Sequence, residues 1–267
     1  MKNISKLVVL TLLSISLTAC QTEATNDIIV INKNIDSLMT YVNEHGMFNG
    51  TILVSENNEV TYKNALGMAD YESERALTTD SQFYLASVSK QFTTMAVMML
   101  KEDGLLSYDD TLEDYFPEFP DYAEKVTLKH MMTHTSGIPD HYGLNAYKKG
   151  LTNDDVLQLL IQQDSLQFEP GANYSYSNGG YVLLSMIVAK VAKKPFHEFM
   201  IERIFDPLEM HNTLVYDESA PKIANRVVGF NGMNQKDDYE IFTTGAGGMY
   251  SNLDDLFKWE QSLLSLI

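Results

Sequence analysis

The hydrophobic pattern of this chain changes period twice, and those two changes limit the folds open to it. Gly50-Thr-Ile-Leu-Val-Ser55 and Val60-Thr-Tyr-Lys-Asn-Ala65 are β-rich runs separated by Glu56-Asn-Asn-Glu59, the pattern of a hairpin with a four-residue turn. Ahead of them, Ile28 to Glu44 has helical periodicity and is closed by Gly46. Beyond Ala69 the spacing is helical over 88–102, 128–134, 154–163 and 180–193, and Pro195 opens a further helix over 196–205 that Pro207 stops. At the far end Asp238 to Thr243 reads as a strand, and Ser251 with Asp254 as a capping box before an amphipathic helix. The pattern predicts an α/β (α+β) fold, with a sheet region over 28–75 and about 238–267 interrupted by a helical region over about 76–237.

The first nineteen residues are expected to be a signal peptide. Lys2 and Lys6 precede an apolar run from Leu7 to Leu17, too short to span a membrane, and Leu17-Thr-Ala-Cys20 closes it with small residues. That ending resembles a bacterial lipobox, which implies lipid attachment at Cys20, a tether over 20–27, and export to the cell envelope on the periplasmic or outer face. Cys20 is the only cysteine, so neither an intrachain disulfide nor a cysteine zinc site is available. Stability must come from the core, which 45% hydrophobic residues can supply. Removing the leader leaves 17 basic against 36 acidic residues, a net charge of −19, so nucleic acid is excluded as an expected partner. The acids fall in scattered pairs such as Asp109-Asp110 and Asp154-Asp155, the mark of a solvated surface.

Candidate chemistry begins at Ser87-Val-Ser-Lys90. A serine hydroxyl needs a neighbouring base to become a nucleophile, and a partly buried lysine can lose its charge to act as one. The spacing is weak alone: Ser219-Ala-Pro-Lys222 repeats it, in a loop interrupted by Pro221. Ser87 differs because it opens a helix whose continuation, Thr93 to Leu100, is largely apolar, so that Lys90 leans back over the same face. Unpaired N–H groups at that helix start, including that of Ser87, suit the oxyanion of an attacked carbonyl. The bland reading makes Ser87 a cap and Lys90 a surface residue. Tyr176-Ser-Asn178 weighs against it, since chance gives that tripeptide only about 0.07 times in this composition. It stands in a loop before an apolar helix, where a phenol can serve as base and acid and an amide can orient a substrate.

Taken in order, Gly50 to Val54, Phe83 to Thr93, Leu128-Lys-His-Met-Met-Thr-His-Thr-Ser-Gly-Ile-Pro139, Glu169-Pro-Gly171, Tyr174 to Tyr181 and Gly245-Ala-Gly-Gly-Met-Tyr-Ser251 resemble the serine β-lactamase and penicillin-binding-protein superfamily, in its class C-like branch. That branch also holds D-alanyl-D-alanine peptidases and family VIII-type esterases. The resemblance implies a β-lactamase/transpeptidase-like fold and hydrolysis of an amide or ester (β-lactam, D-Ala peptide or small acyl ester) without a cofactor. It makes Ser87 the acylated nucleophile, Lys90 its activating partner, Tyr176 the general base and acid, and Asn178 a ligand of substrate and lysine. The substrate is then a small-molecule or peptidoglycan-derived acyl compound. The family's third motif, Lys-Thr-Gly or His-x-Gly on a strand beside the nucleophile, has no match after Gly248, which implies a member truncated at its C-terminus. The alternative is an inactive envelope lipoprotein that only binds. His134-Thr-Ser-Gly137 precedes the Tyr-Ser-Asn motif and reads as a scaffold turn. His130 and His134 lack the third ligand and the glutamate of a zinc site, Gly245-Ala-Gly-Gly248 reads as a tight loop bordering the cleft, and Trp259 with Met95, Met98 and Met99 as core.

Overall fold

The computed structural model of the protein describes residues 27–144, 147–233, 235–238 and 241–264. The expected leader and Cys20 lie outside the described residues. The chain opens with β1 (Ile29–Val30) where helix was expected, and α1 (Lys33–Glu44) begins only at Asn32, whose side chain caps the Ile35 N–H at 3.3 Å. β1, β3 (Glu59–Leu66) and β2 (Gly50–Glu56) form an antiparallel sheet in the order β1-β3-β2. The hairpin turn is two residues, not four: Asn57 and Asn58 both take positive φ, 52° and 66°, and Glu56 pairs with Glu59. Asparagine tolerates that conformation, and the two-residue turn it allows matches the twist of the strands.

Short strands β4 (Met68–Asp70) and β5 (Arg75–Ala76) lead to β6 (Phe83–Tyr84) and then α2 (Lys90–Glu102). The helical region follows with α3 (Leu112–Tyr115), α4 (Leu128–Met132), α5 (Asn153–Ile161), α6 (Asn178–Ala192) and α7 (Phe196–Met200), the last continued by a widened turn to Phe205. β7 (Leu214–Val215), β8 (Met249–Ser251) and α8 (Leu253–Leu264) complete the order. Asp238 and residues 241–243 form no strand; the returning strand is β8, which lies between β6 and β7. Three residues between a glycine loop and a helix carry too little alternation to be read as a strand. The cap of α8 is likewise Asn252, whose side chain accepts the Asp255 N–H at 3.1 Å, while Ser251 stays in the strand.

α6 is the centre of the helical region. Gly179 to Ser185, Ile187 and Val188 are all buried, so this helix is apolar on every side, packing against α2, α4, α5 and α7. Trp259 of α8 lies against Phe92 of α2, ring centroids 4.4 Å apart, and its indole N–H donates to Gln91 at 2.6 Å. Met98 departs from the expected core stripe and faces solvent at 42% exposure, whereas Met95 and Met99 pack on the core. Two carboxylates bind α8 to the sheets. Asp254 accepts from the buried Lys63 of β3 at 2.8 Å, and the fully buried Asp255 accepts the Asn212 N–H at 2.7 Å and the Thr213 hydroxyl at 2.9 Å.

Replacing Asp255 with alanine leaves the buried Asn212 N–H without its acceptor and turns the Thr213 hydroxyl back on Ser251 Oγ, 2.7 Å away. Asp255→Ala is expected to lower stability by roughly 2 to 4 kcal/mol, read as a shift of the urea midpoint at unchanged slope.

Candidate active site

β6 pairs with β8, and the segment that leaves β6 and the loop that enters β8 build two walls of the site. After Tyr84, the Leu85 N–H donates to the Met249 carbonyl at 2.8 Å, and residues Ala86–Ser89 make one tight helical turn before α2. Ala86 sits at φ 45°, in the left-handed region that costs a non-glycine residue about 1 kcal/mol or more, immediately before Ser87. On the other side of the strand pair, residues 243–248 form a tight loop. Gly245 takes φ 86°, and a Cβ there would lie 2.3 Å from the Tyr181 carbonyl oxygen. Asn153 clamps the loop from the start of α5: its amide nitrogen donates to Thr244 Oγ1 at 2.9 Å and its oxygen accepts the Thr244 N–H at 2.8 Å. The Thr93 hydroxyl of α2 donates to the Gly245 carbonyl at 2.9 Å.

Lys90, the first residue of α2, is only 7% exposed, and its Nζ meets three acceptors: Ser87 Oγ at 3.2 Å, Asn178 Oδ1 at 2.8 Å and the Ala246 carbonyl at 2.7 Å. Tyr176 Oη donates to Ser87 Oγ at 2.8 Å from the opposite side. The sequence therefore brings all four predicted residues together. The middle residue of Tyr176-Ser-Asn178 contributes separately, since Ser177 is buried and caps α6, its hydroxyl accepting the Gly180 N–H at 3.2 Å. That cap holds Asn178 at the first position of the helix and leaves Tyr176, 40% exposed, on the loop before it.

Three further residues complete the site: His134, from the segment read as a scaffold turn; Ala246, inside the glycine loop expected to border the cleft; and Asp140, which the sequence pattern does not mark. His134 takes φ 57° after α4 and lies flat on Tyr176, ring centroids 4.3 Å apart; its Nδ1 accepts the Ser177 N–H at 3.2 Å. It thus braces the tyrosine, while His130 Nδ1 accepts the Thr127 N–H at 3.2 Å at the start of α4. Asp140 accepts from Asn178 Nδ2 at 3.1 Å. Ala246 contributes a backbone oxygen, which no side-chain motif can announce. Ser219 is elsewhere, donating to Asp217 at 2.6 Å.

Burial pushes the Lys90 ammonium below the ordinary lysine range, opposed by Tyr176 and the Asp140 carboxylate. Burial, then the positive charge of Lys90, lowers His134 as well, so its ring stays neutral with Nδ1 free to accept. With two Nζ hydrogens directed to Asn178 and Ala246, the third position of Lys90 faces Ser87. There the ammonium donates a hydrogen bond and the free amine takes the serine proton. A cavity of about 270 Å³ opens beside Ser87, walled by Tyr84, Tyr142, Ile241, Thr243 and Gly247. A larger hollow of about 650 Å³ at Asp121, Asp164 and Glu169 holds none of these groups.

A serine hydroxyl held between a buried lysine amine and a tyrosine phenol is the arrangement that nucleophilic acyl transfer requires. The chain belongs to the Beta-lactamase family, whose profile matches residues 31–266. A penicillin-binding protein of Bacillus subtilis strain 168 is 32% identical over 252 residues, covering 86% of this chain and 55% of its own length. A D-aminopeptidase of Brucella anthropi is 30% identical over 224 residues, covering 79% and 42%. The solved D-amino acid amidase of Ochrobactrum anthropi SV3, in complex with L-phenylalanine amide, superposes with a TM-score of 0.76 at 25% identity, covering 88% of this chain and 71% of its own. The chain spans about half the length of the curated relatives it matches.

Gly245→Ala is expected to displace the loop that carries the Ala246 carbonyl, at roughly 2 to 4 kcal/mol of stability for an L-residue forced into that backbone. Covalent modification of Ser87 by a fluorophosphonate should slow at least about tenfold, equivalent to about 1.4 kcal/mol in the barrier.

Proposed function

We propose that this protein is an exported, lipid-anchored serine hydrolase that opens an amide or ester by acylating Ser87. The observation that carries the reading is the placement of Ser87 Oγ between two proton-handling groups, Lys90 Nζ at 3.2 Å and Tyr176 Oη at 2.8 Å. Attack of Oγ on the acyl carbonyl carbon passes the serine proton to the Lys90 amine. Tyr176 then delivers a proton to the departing amine or alkoxide, leaving an acyl-serine ester. Water hydrolyses that ester with the same two groups in reversed roles, and Asn178 holds both Lys90 and the substrate amide. A protein that only bound its ligand would need none of this proton transfer, so the inactive lipoprotein is the weaker reading. Names among the relatives, a penicillin-binding protein and a D-aminopeptidase, support small or peptidoglycan-derived acyl compounds as substrates. Export and the Cys20 anchor rest on the leader pattern alone.

A fluorophosphonate or fluorescent penicillin should label the purified protein at Ser87, and Ser87→Ala should abolish that labelling; equal labelling of the variant would refute the nucleophile. Because the base is the neutral amine, labelling should rise with pH through a transition below the ordinary lysine value of 10.5. Lys90→Arg, which cannot lose its proton, should cost on the order of a thousandfold at every pH. Cys20→Ser should lose palmitate incorporation in cells.

A further inference from the structure

Asn178 can serve Lys90 only if its amide points the right way. Its oxygen must face Nζ, yet an amide is nearly symmetric in shape, and rotation by half a turn would present its NH₂ to the ammonium instead. On the far side of the amide from Lys90, Asp140, which follows Pro139, acts against that rotation. A carboxylate only accepts, and Asp140 Oδ2 takes Asn178 Nδ2 at 3.1 Å, which leaves Asn178 Oδ1 for Lys90 at 2.8 Å. Reversal would set an amide oxygen against the carboxylate and two N–H donors against Nζ, two repulsive contacts in place of two attractive ones. Asp140 is itself fixed: its carbonyl accepts the Gly143 N–H at 3.0 Å, and Oδ1 faces the Tyr142 N–H at 3.5 Å and His141 Nδ1 at 3.7 Å.

We propose that Asp140 is the positioning residue of this site: its carboxylate sets the direction of the Asn178 amide and supplies the negative charge against which Lys90 exchanges its proton. The inference rests on the serine-hydrolase reading above. The titratable groups around Lys90 are Tyr176 on the loop before α6, Tyr181 on α6, His134 after α4, and Asp140 with His141 in the turn after Pro139. Asp140 is the carboxylate that acts on Lys90, His134 and His141 alike, raising each against burial. His141 is buried and neither ring nitrogen makes a hydrogen bond, Nδ1 lying 3.7 Å from Asp140 Oδ1, so it adds no fixed charge while neutral.

Asp140→Asn removes the charge and keeps an oxygen able to accept from Asn178, with Lys90 Nζ still selecting the Asn178 oxygen, whereas Asp140→Ala removes charge and acceptor together. The rate of fluorophosphonate labelling of Ser87 is measured against pH in the full chain, with unfolding by urea run in parallel. The acid limb of Asp140→Asn should move to lower pH by roughly half to one unit, because a lost neighbouring charge makes Lys90 easier to deprotonate. Its plateau should fall less than that of Asp140→Ala, which leaves the Asn178 amide without its acceptor and should lose about ten- to a hundredfold. The shift should persist in His134→Gln and His141→Gln backgrounds. A parent protein that does not label defeats the hydrolase reading itself. A parent that labels, with an Asp140→Asn limb that stays in place or moves only while either histidine is present, overturns the role of Asp140, whatever the alanine variant does.

Discussion

Everything around Ser87 depends on where a lysine nitrogen can be buried. Lys90 is 7% exposed, and moving an unpaired ammonium out of water costs several kcal/mol, so the fold must present acceptors to it from several directions. It does so with Ser87 from the turn before α2, Asn178 from α6 and the Ala246 carbonyl from the loop before β8. These three come from distant parts of the sequence, and satisfying one atom brings them together. The same burial that demands the acceptors also weakens the proton's hold on Lys90. Structure and reactivity here share a single cause.

The two regions meet at a strand pair and not at a flexible joint. β6 and β8 are only two and three residues long, yet each is continuous with a site segment, so the register Tyr84 with Tyr250 fixes the turn that holds Ser87 relative to the glycine loop. Gly245 is required there because the loop passes close to the Tyr181 carbonyl, and Asn153 closes it from outside. α6, buried all round, then acts as a rigid post that carries Asn178 on its first turn. Side chains held by such elements start near the geometry a reaction needs, which is what lowers an entropic barrier.

Much of this was legible in the sequence, and the reasons divide cleanly. Ser87, Lys90, Tyr176 and Asn178 were readable because each is a side chain with chemistry of its own in a local pattern beside an apolar helix. His134 and Asp140 were not, since their roles exist only across the gap between the turn after α4 and the start of α6, a separation no local pattern records. The Ala246 oxygen belongs to the backbone and has no residue signature. In the sheet region, helical periodicity from Ile28 absorbed β1, and Ser251 imitated the cap that Asn252 provides. Errors of this kind arise where a two- or three-residue strand is paired by tertiary context and not by its own alternation.

Ser177 gives the site a particular mode of failure. Its hydroxyl holds the first turn of α6 while its N–H is held by the ring that braces Tyr176, so one buried residue joins the end of a helix to both flanking functional groups. The phenol before the helix and the amide on its first turn are therefore placed by one buried hydroxyl and one buried N–H, so a change at position 177 would move both groups, and an acceptor of Lys90 with them, in a single event.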